Sequence, residues 1–322
     1  MCTAATYKTT DFYFGRTLDY EFSYGETVTI MPRNYEIKLR FLDNIKKHYA
    51  IIGMAHVTDS YPLFYEAMNE KGLCIAGLNF VGNAHYFEPQ KDKINVAQFE
   101  FIPYILVSCK SVDEVIKLMK NINITNTPYS DEYPIGQLHW IVADHNKSIT
   151  IESTSEGIRV YDNPVGVLTN NPPFDKQIEN LNNYKHLSTK NSKISLTDDK
   201  RFYSRGLGAV GLPGDISSQS RFVRVAFTKM NSLSKSDELS SVSQFFHILG
   251  SVDQVRGCCE LEDKKYEITI YTSCLNATKG IYYYTTYDNH QINKVDMHKV
   301  DLDSKKLFEY KLHTSENIYE QN

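Results

Sequence analysis

The chain has 322 residues, 41% of them hydrophobic and 23% charged, the composition of an ordinary globular protein with ample apolar material for a core. Lysine and arginine total 35 against 39 acidic residues, and a net charge of -4 argues against a nucleic-acid or anionic-membrane binder, which needs a basic field. No run reaches the ~18 consecutive apolar residues of a membrane helix; the best, Phe101 to Cys109, is short and interrupted by Pro103.

Met1 to Arg16 lacks the basic segment and apolar stretch of a signal peptide, which points to a cytoplasmic protein. Thr3 to Tyr7 and Phe12 to Thr17 are strand-like runs flanking the polar turn Lys8 to Asp11, a hairpin whose first strand opens with Cys2. Ser111-x-x-Glu114 is a capping-box pattern ahead of Val112, Val115, Ile116 and Met119, which predicts a helix. Trp140 to Ala143, Ser148 to Ser153 with Ile149 and Ile151 on one face, and Ile158 to Tyr161 after the Glu156-Gly157 turn read as a meander.

Phe174, Ile178 and Leu181 predict an amphipathic helix after Pro172-Pro173, and Val242, Phe245, Phe246 and Leu249 fall at i, i+3, i+4 and i+7. Tyr266 to Cys274, Gly280 to Tyr287 and Gln291 to Met297 are three further candidate antiparallel strands. No linker, charge block or internal repeat divides the chain, so residues 1–322 are expected to form one domain. Helices set apart from runs of antiparallel strands point to an α+β arrangement with sheets packed under helices.

Six cysteines occur, Cys2, Cys74, Cys109, Cys258, Cys259 and Cys274, without a C-x-x-C spacing or a His at ligand distance from the vicinal pair. Reduced thiols are expected, and neither a metal nor a cofactor. Five of them read as small buried hydrophobes or incidental thiols. Cys2 differs chemically. A small second residue allows removal of Met1, leaving a thiol and a free α-amine on one residue, and an amine of pKa ~7.7–8.0 can accept the proton of a thiol near ~8.5. From Met-Cys alone, a merely tolerated small residue is the alternative.

The surrounding segments resemble the choloylglycine hydrolase family of bile salt hydrolases and penicillin V acylases. The resemblance rests on Met-Cys-Thr-Ala followed by Phe14-Gly15-Arg16-Thr17-Leu18-Asp19, then Pro32-Arg33-Asn34, Asn69 to Leu73, Ala76 to Phe80, Leu138-His139-Trp140 and Gly166 to Asn170. It continues through Gly211 to Asp215, Ser220-Arg221-Phe222, Phe245 to Leu249 and Lys279 to Tyr284. It implies an N-terminal-nucleophile hydrolase, an αββα sandwich of two antiparallel sheets between helical layers, acting on the amide of glycine- or taurine-conjugated bile salts or, alternatively, of penicillin V or another N-acyl amide.

The catalytic positions it implies are Cys2 as nucleophile, Arg16, Asp19, Asn79, Asn170 and Arg221. Asp19 suits the charged α-amine, the two arginines suit a thiolate, and the Asn170 side-chain amide with the Asn79 backbone N–H suits an oxyanion. Thr17 stands where many relatives carry Asn. Asn79, where the penicillin branch often has Tyr, favours bile salts. Leu18, Tyr65, Asn79, Tyr129, Tyr133 and Leu138 lie in segments resembling the substrate pocket, with ordinary packing the other reading of the tyrosines. His139-Trp140 is expected in the core or at a strand edge, and Gly72 and Gly214-Asp215 at turns. The family also implies a homotetramer, with Tyr184 to Arg205 either in its assembly or a surface loop.

Overall fold

A computed structural model of the protein describes residues 1–191 and 199–322. Six strands form one antiparallel sheet, in spatial order Val167–Leu168, Cys2–Lys8, Phe12–Tyr20, Ile268–Asn276, Ile281–Thr286 and Asn289–Asp296. Eight form the second, also antiparallel, in order Gly157–Asp162, Ser148–Thr154, Leu138–Ala143, Cys74–Asn79, Tyr61–Asn69, Ile51–Thr58, Thr27–Met31 and Phe308–Lys311. The sheets pack face to face through residues such as Ala4, Met54, Met68, Ala76, Leu78 and Ile141. Helices Phe174–Asn180, Ser218–Asn231 and Glu238–Gly250 cover the outer face of the six-stranded sheet, and Phe101–Ser108 and Val112–Met119 that of the eight-stranded one. This is the αββα sandwich.

The hairpin at the N-terminus is longer than its predicted core, because Leu18, Asp19 and Tyr20 continue the ladder alongside Cys2 and the strand Ile268–Asn276. The predicted strand Tyr266 to Cys274 starts and ends two residues later, since Tyr266 instead closes a bridge with Glu260. The capping box at Ser111 is half formed: Ser111 Oγ accepts from the Glu114 N–H, but the Glu114 carboxylate reaches past Ser111 to the N–H of Lys110. The apolar run beginning at Phe101 is a buried helix, and Pro103 sits in its first turn, where no intrahelical N–H bond is lost. Ile149 and Ile151 do share a face, yet both faces of their strand are covered. His139, the second residue of the strand Leu138–Ala143, lies in the core, with Nδ1 3.0 Å from Glu152 and Nε2 2.9 Å from the Thr169 carbonyl oxygen.

Gly15 has a specific reason in this hairpin. A Cβ there would lie 2.0 Å from the Ser273 carbonyl oxygen, so the strands carrying Arg16 and Ser273 close only over glycine. Gly72 has φ +84° in the turn between Tyr61–Asn69 and Cys74–Asn79, as expected of a turn glycine. Among the described residues no helix is long and apolar enough to cross a membrane. The segment 184–205, flagged for assembly, lies partly outside the described residues.

Candidate active site

Cys2 is the first residue of its strand and is only 3% exposed. Pairing of Cys2 with Leu18 and of Thr3 with Thr17 sorts the neighbouring side chains by face. Arg16 and Leu18 share the Cys2 face, toward the second sheet, whereas Thr3, Thr17 and Asp19 point to the helical layer. The two arginines therefore approach the cysteine from opposite sides of the sheet.

Arg16, 1% exposed, donates to the carbonyls of Gly77 (2.6 Å), Tyr65 (3.4 Å) and Thr17 (3.2 Å), tying the first sheet to the second. Its Nε lies 4.0 Å from the Glu66 carboxylate, itself buried and accepting from the hydroxyls of Tyr271 and Tyr282. Burial alone would lower the Arg16 pKa, but the surrounding Cys2, Tyr271, Glu66 and Asp19 carry it above its ordinary value. Burial pushes the Glu66 carboxyl up, against the pull of Arg16 and the tyrosine hydroxyls.

Arg221, on the helix Ser218–Asn231, donates from Nη1 to the Cys2 carbonyl (2.6 Å) and Thr3 Oγ1 (2.5 Å), from Nη2 to Asn170 Oδ1 (2.8 Å) and from Nε to the Ile216 carbonyl (3.0 Å). Its nearest approach to Asp19 is 3.9 Å. Burial lowers its pKa, with Asp19 and Cys2 opposing. Asp19 is fully buried, which pushes its carboxyl up; Arg221, the N-terminal ammonium and the hydroxyls of Thr269 and Thr17 pull the other way.

Asn170 joins the pieces. Its Oδ1 accepts from the Cys2 N–H (2.8 Å) as well as from Arg221, its backbone N–H donates to Ser218 Oγ (2.9 Å), and its Nδ2 donates to the Asn79 carbonyl (2.8 Å). Phe80 donates to the Gln137 carbonyl across the ladder, so by alternation the N–H and C=O of Asn79 face away from that neighbour, toward Asn170. The Asn171–Pro172 peptide that follows is cis. Met1 continues the hairpin: its carbonyl accepts from the Asp19 N–H (2.9 Å), and its ammonium bonds the Asp19 carbonyl (2.7 Å) and pairs with Glu267.

A cavity of about 600 Å³ opens over Cys2, Arg16 and Asp19. All six expected pocket residues, Leu18, Tyr65, Asn79, Tyr129, Tyr133 and Leu138, line it. Tyr133 bonds His56 Nε2 (2.9 Å), and Tyr129 packs edge-on against Phe99 (5.2 Å) while its hydroxyl donates to the Thr58 carbonyl (3.2 Å). Tyr20, Tyr24, Phe99 and Ile135 also line it and were not anticipated. Alternation from Leu18 would have found Tyr20; the others come from loops and a short helical turn with no such pattern.

The sequence matches the linear amide C-N hydrolases, choloylglycine hydrolase family, over residues 2–310. The chain belongs to the choloylglycine hydrolase family. It is 55% identical over 324 residues to a bile salt hydrolase/transferase of Lactiplantibacillus plantarum, covering 100% of both chains. The crystal structure of the mutant C2A conjugated bile acid hydrolase from Clostridium perfringens superposes with TM-score 0.92 at 38% identity, each chain fully covered. The penicillin V acylase of Agrobacterium tumefaciens shares the fold, with TM-score 0.73 at 18% identity over 98% of this chain and 94% of that one. The chain is accordingly an amide hydrolase of the cysteine-nucleophile type.

Proposed function

We propose that this protein hydrolyses the amide bond of glycine- or taurine-conjugated bile salts, with Cys2 as nucleophile once Met1 is removed. The observation that carries it is the position of Cys2: at a strand end, on the floor of a largely apolar cavity, with its nitrogen on Asn170 and Asp19 alongside. The α-amine takes the thiol proton, the thiolate attacks the amide carbon, and the resulting ammonium returns a proton to the departing amine. Water, deprotonated by the same amine, then cleaves the thioester and frees the bile acid. Asp19 anchors the ammonium form, and Arg16 and Arg221 favour the thiolate from the two faces of the sheet.

Asn170 has a double role in this reading. Its Oδ1 orients the Cys2 nitrogen, and the Nδ2 proton not used on Asn79 joins the Asn79 N–H as donors to the oxyanion. Asn170→Ala is expected to lower kcat about 10²–10³-fold with little change in KM, as measured by steady-state kinetics. The apolar and aromatic wall formed by Leu18, Tyr65, Tyr129, Tyr133 and Leu138 suits a steroid nucleus.

The deciding experiment is one hydrolysis panel of glycocholate, taurocholate and penicillin V on a single preparation. Both bile salts are expected to turn over far faster than penicillin V, and equal or faster cleavage of penicillin V would reverse the assignment. The same reading takes residues 1–322 as one domain of a cytoplasmic homotetramer, with no nucleic-acid or membrane partner. Light scattering on the purified protein measures the assembly.

A further inference from the structure

Asp19 is a buried carboxylate whose two oxygens are each met by one hydroxyl. Thr269 Oγ1 lies 2.8 Å from Oδ1, and Thr17 Oγ1 lies 3.1 Å from Oδ2. A hydroxyl has one proton to give, and here backbone N–H groups decide where it goes. The Gln254 N–H donates to Thr269 Oγ1 (2.8 Å), and the Thr3 N–H donates to Thr17 Oγ1 (3.2 Å). With its acceptor side occupied, each threonine turns its proton to Asp19.

Both threonines are almost fully buried, so water does not compete for these contacts. The strand Ile268–Asn276 shifts register between Thr269 and Tyr271, and this bulge sets Thr269 directly opposite Asp19. We infer that Thr17 and Thr269 form a hydroxyl clamp that keeps Asp19 ionised and aimed at the α-amine of Cys2, which makes both threonines positioning residues for the reaction. The inference rests on the N-terminal-nucleophile reading given above.

The other charged groups facing Asp19 do not supply the same restraint. Arg221, from the outer helix, stands 3.9 Å away and spends its guanidinium on Cys2, Thr3, Asn170 and Ile216. Arg16, on the same strand, points into the space between the sheets. Met1 binds the backbone of Asp19, with its ammonium on Glu267. Asp253, beyond the helix Glu238–Gly250, is a like charge and no hydrogen-bond donor; its own carboxyl is raised by burial and by Asp19. The clamp therefore supplies the direct hydrogen bonds to both carboxylate oxygens.

The test uses Thr269→Val and Thr17→Val, which remove the hydroxyl at nearly constant volume, beside Thr269→Ser and Thr17→Ser, which restore it. Hydrogen bonds to the charged form hold a carboxyl pKa down, so their loss moves it up. Each valine variant is expected to lose about tenfold in kcat at neutral pH with KM nearly unchanged, and to shift the acid limb of its pH profile upward by about one unit. The serine variants recover the native profile. Alkylation of Cys2 by iodoacetamide, followed against pH by mass spectrometry, is expected to shift in the same sense and needs no substrate. Valine variants whose kcat and both pH profiles match the native enzyme overturn the clamp. So do serine variants that fail equally, because they retain the hydroxyl. A native protein that cleaves no conjugated bile salt would sink the functional reading instead, while the alkylation profiles still decide on the clamp.

Discussion

Replacing Cys2 with alanine is expected to abolish hydrolysis of conjugated bile salts while leaving their binding intact. The side chain contributes only a thiol, and alanine is small enough for Met1 still to be removed. In the proposed binding mode the steroid is held by Leu18, the tyrosines and Leu138, which line the cavity and are unchanged by the substitution. No other cysteine can take over at neutral pH. Cys74 and Cys274 are fully buried, which pushes both thiols well above their ordinary range, and burial holds Cys109 at about 12. Cys258 is exposed and Cys259 is half-buried, and neither lines the cavity. The check pairs a ninhydrin assay of released glycine or taurine with calorimetric titration of glycocholate into the variant. Turnover well above the uncatalysed rate would contradict Cys2 as the nucleophile.

Legibility in the sequence followed exposure and locality. The N-terminal hairpin, the meander around residues 138–162 and the last three strands of the six-stranded sheet were readable because turn residues bound them. The strands Thr27–Met31, Ile51–Thr58, Tyr61–Asn69 and Cys74–Asn79 were not singled out. Most are interior strands buried on both faces, so apolar residues run through them and the period of two is largely lost. The helix Phe101–Ser108 gave no amphipathic signal for the same reason, being buried nearly all round. The helix Ser218–Asn231 escaped because Arg221, on its inward face, is a buried charge that breaks the apolar stripe. Apart from the nearby Ile216 carbonyl, its partners Cys2, Thr3 and Asn170 are on the N-terminal strand and a distant loop, more than 50 residues away in the chain.

The six catalytic candidates came from motifs, and the structure gathers them around the end of one hairpin. What no local pattern could supply is how they are connected. The Asn170 amide was expected only as a donor, yet its oxygen also receives the Cys2 and Arg221 N–H groups. Thr269 lies 250 positions from Asp19 and meets it only because the strand Ile268–Asn276 pairs with Phe12–Tyr20. Such contacts are fixed by sheet order, a property of the whole chain rather than of any window.

Any peptide left in front of Cys2 is expected to cost most of the rate without preventing folding. The second half of that statement follows from Met1. It extends the hairpin by one residue, with its carbonyl on the Asp19 N–H and its ammonium on the Asp19 carbonyl and Glu267, so a preceding residue is accommodated by the ladder. The first half follows from the Cys2 nitrogen. While it belongs to a peptide it donates to Asn170 Oδ1 but has no basic lone pair, so it can neither take the thiol proton nor return one to the leaving amine. General-base catalysis contributes about 10²–10⁴-fold, and a loss of that size is expected for a retained Met1 or an uncleaved N-terminal tag. A C-terminal tag begins beyond Asn322, in an exposed stretch, and should leave the rate unchanged. The measurement compares both tagged forms, then frees Cys2 with a protease that cuts immediately before it, with intact mass confirming each species. Recovery of activity on cleavage is the expected result, and a blocked enzyme as fast as the freed one would show that the α-amine is not the base.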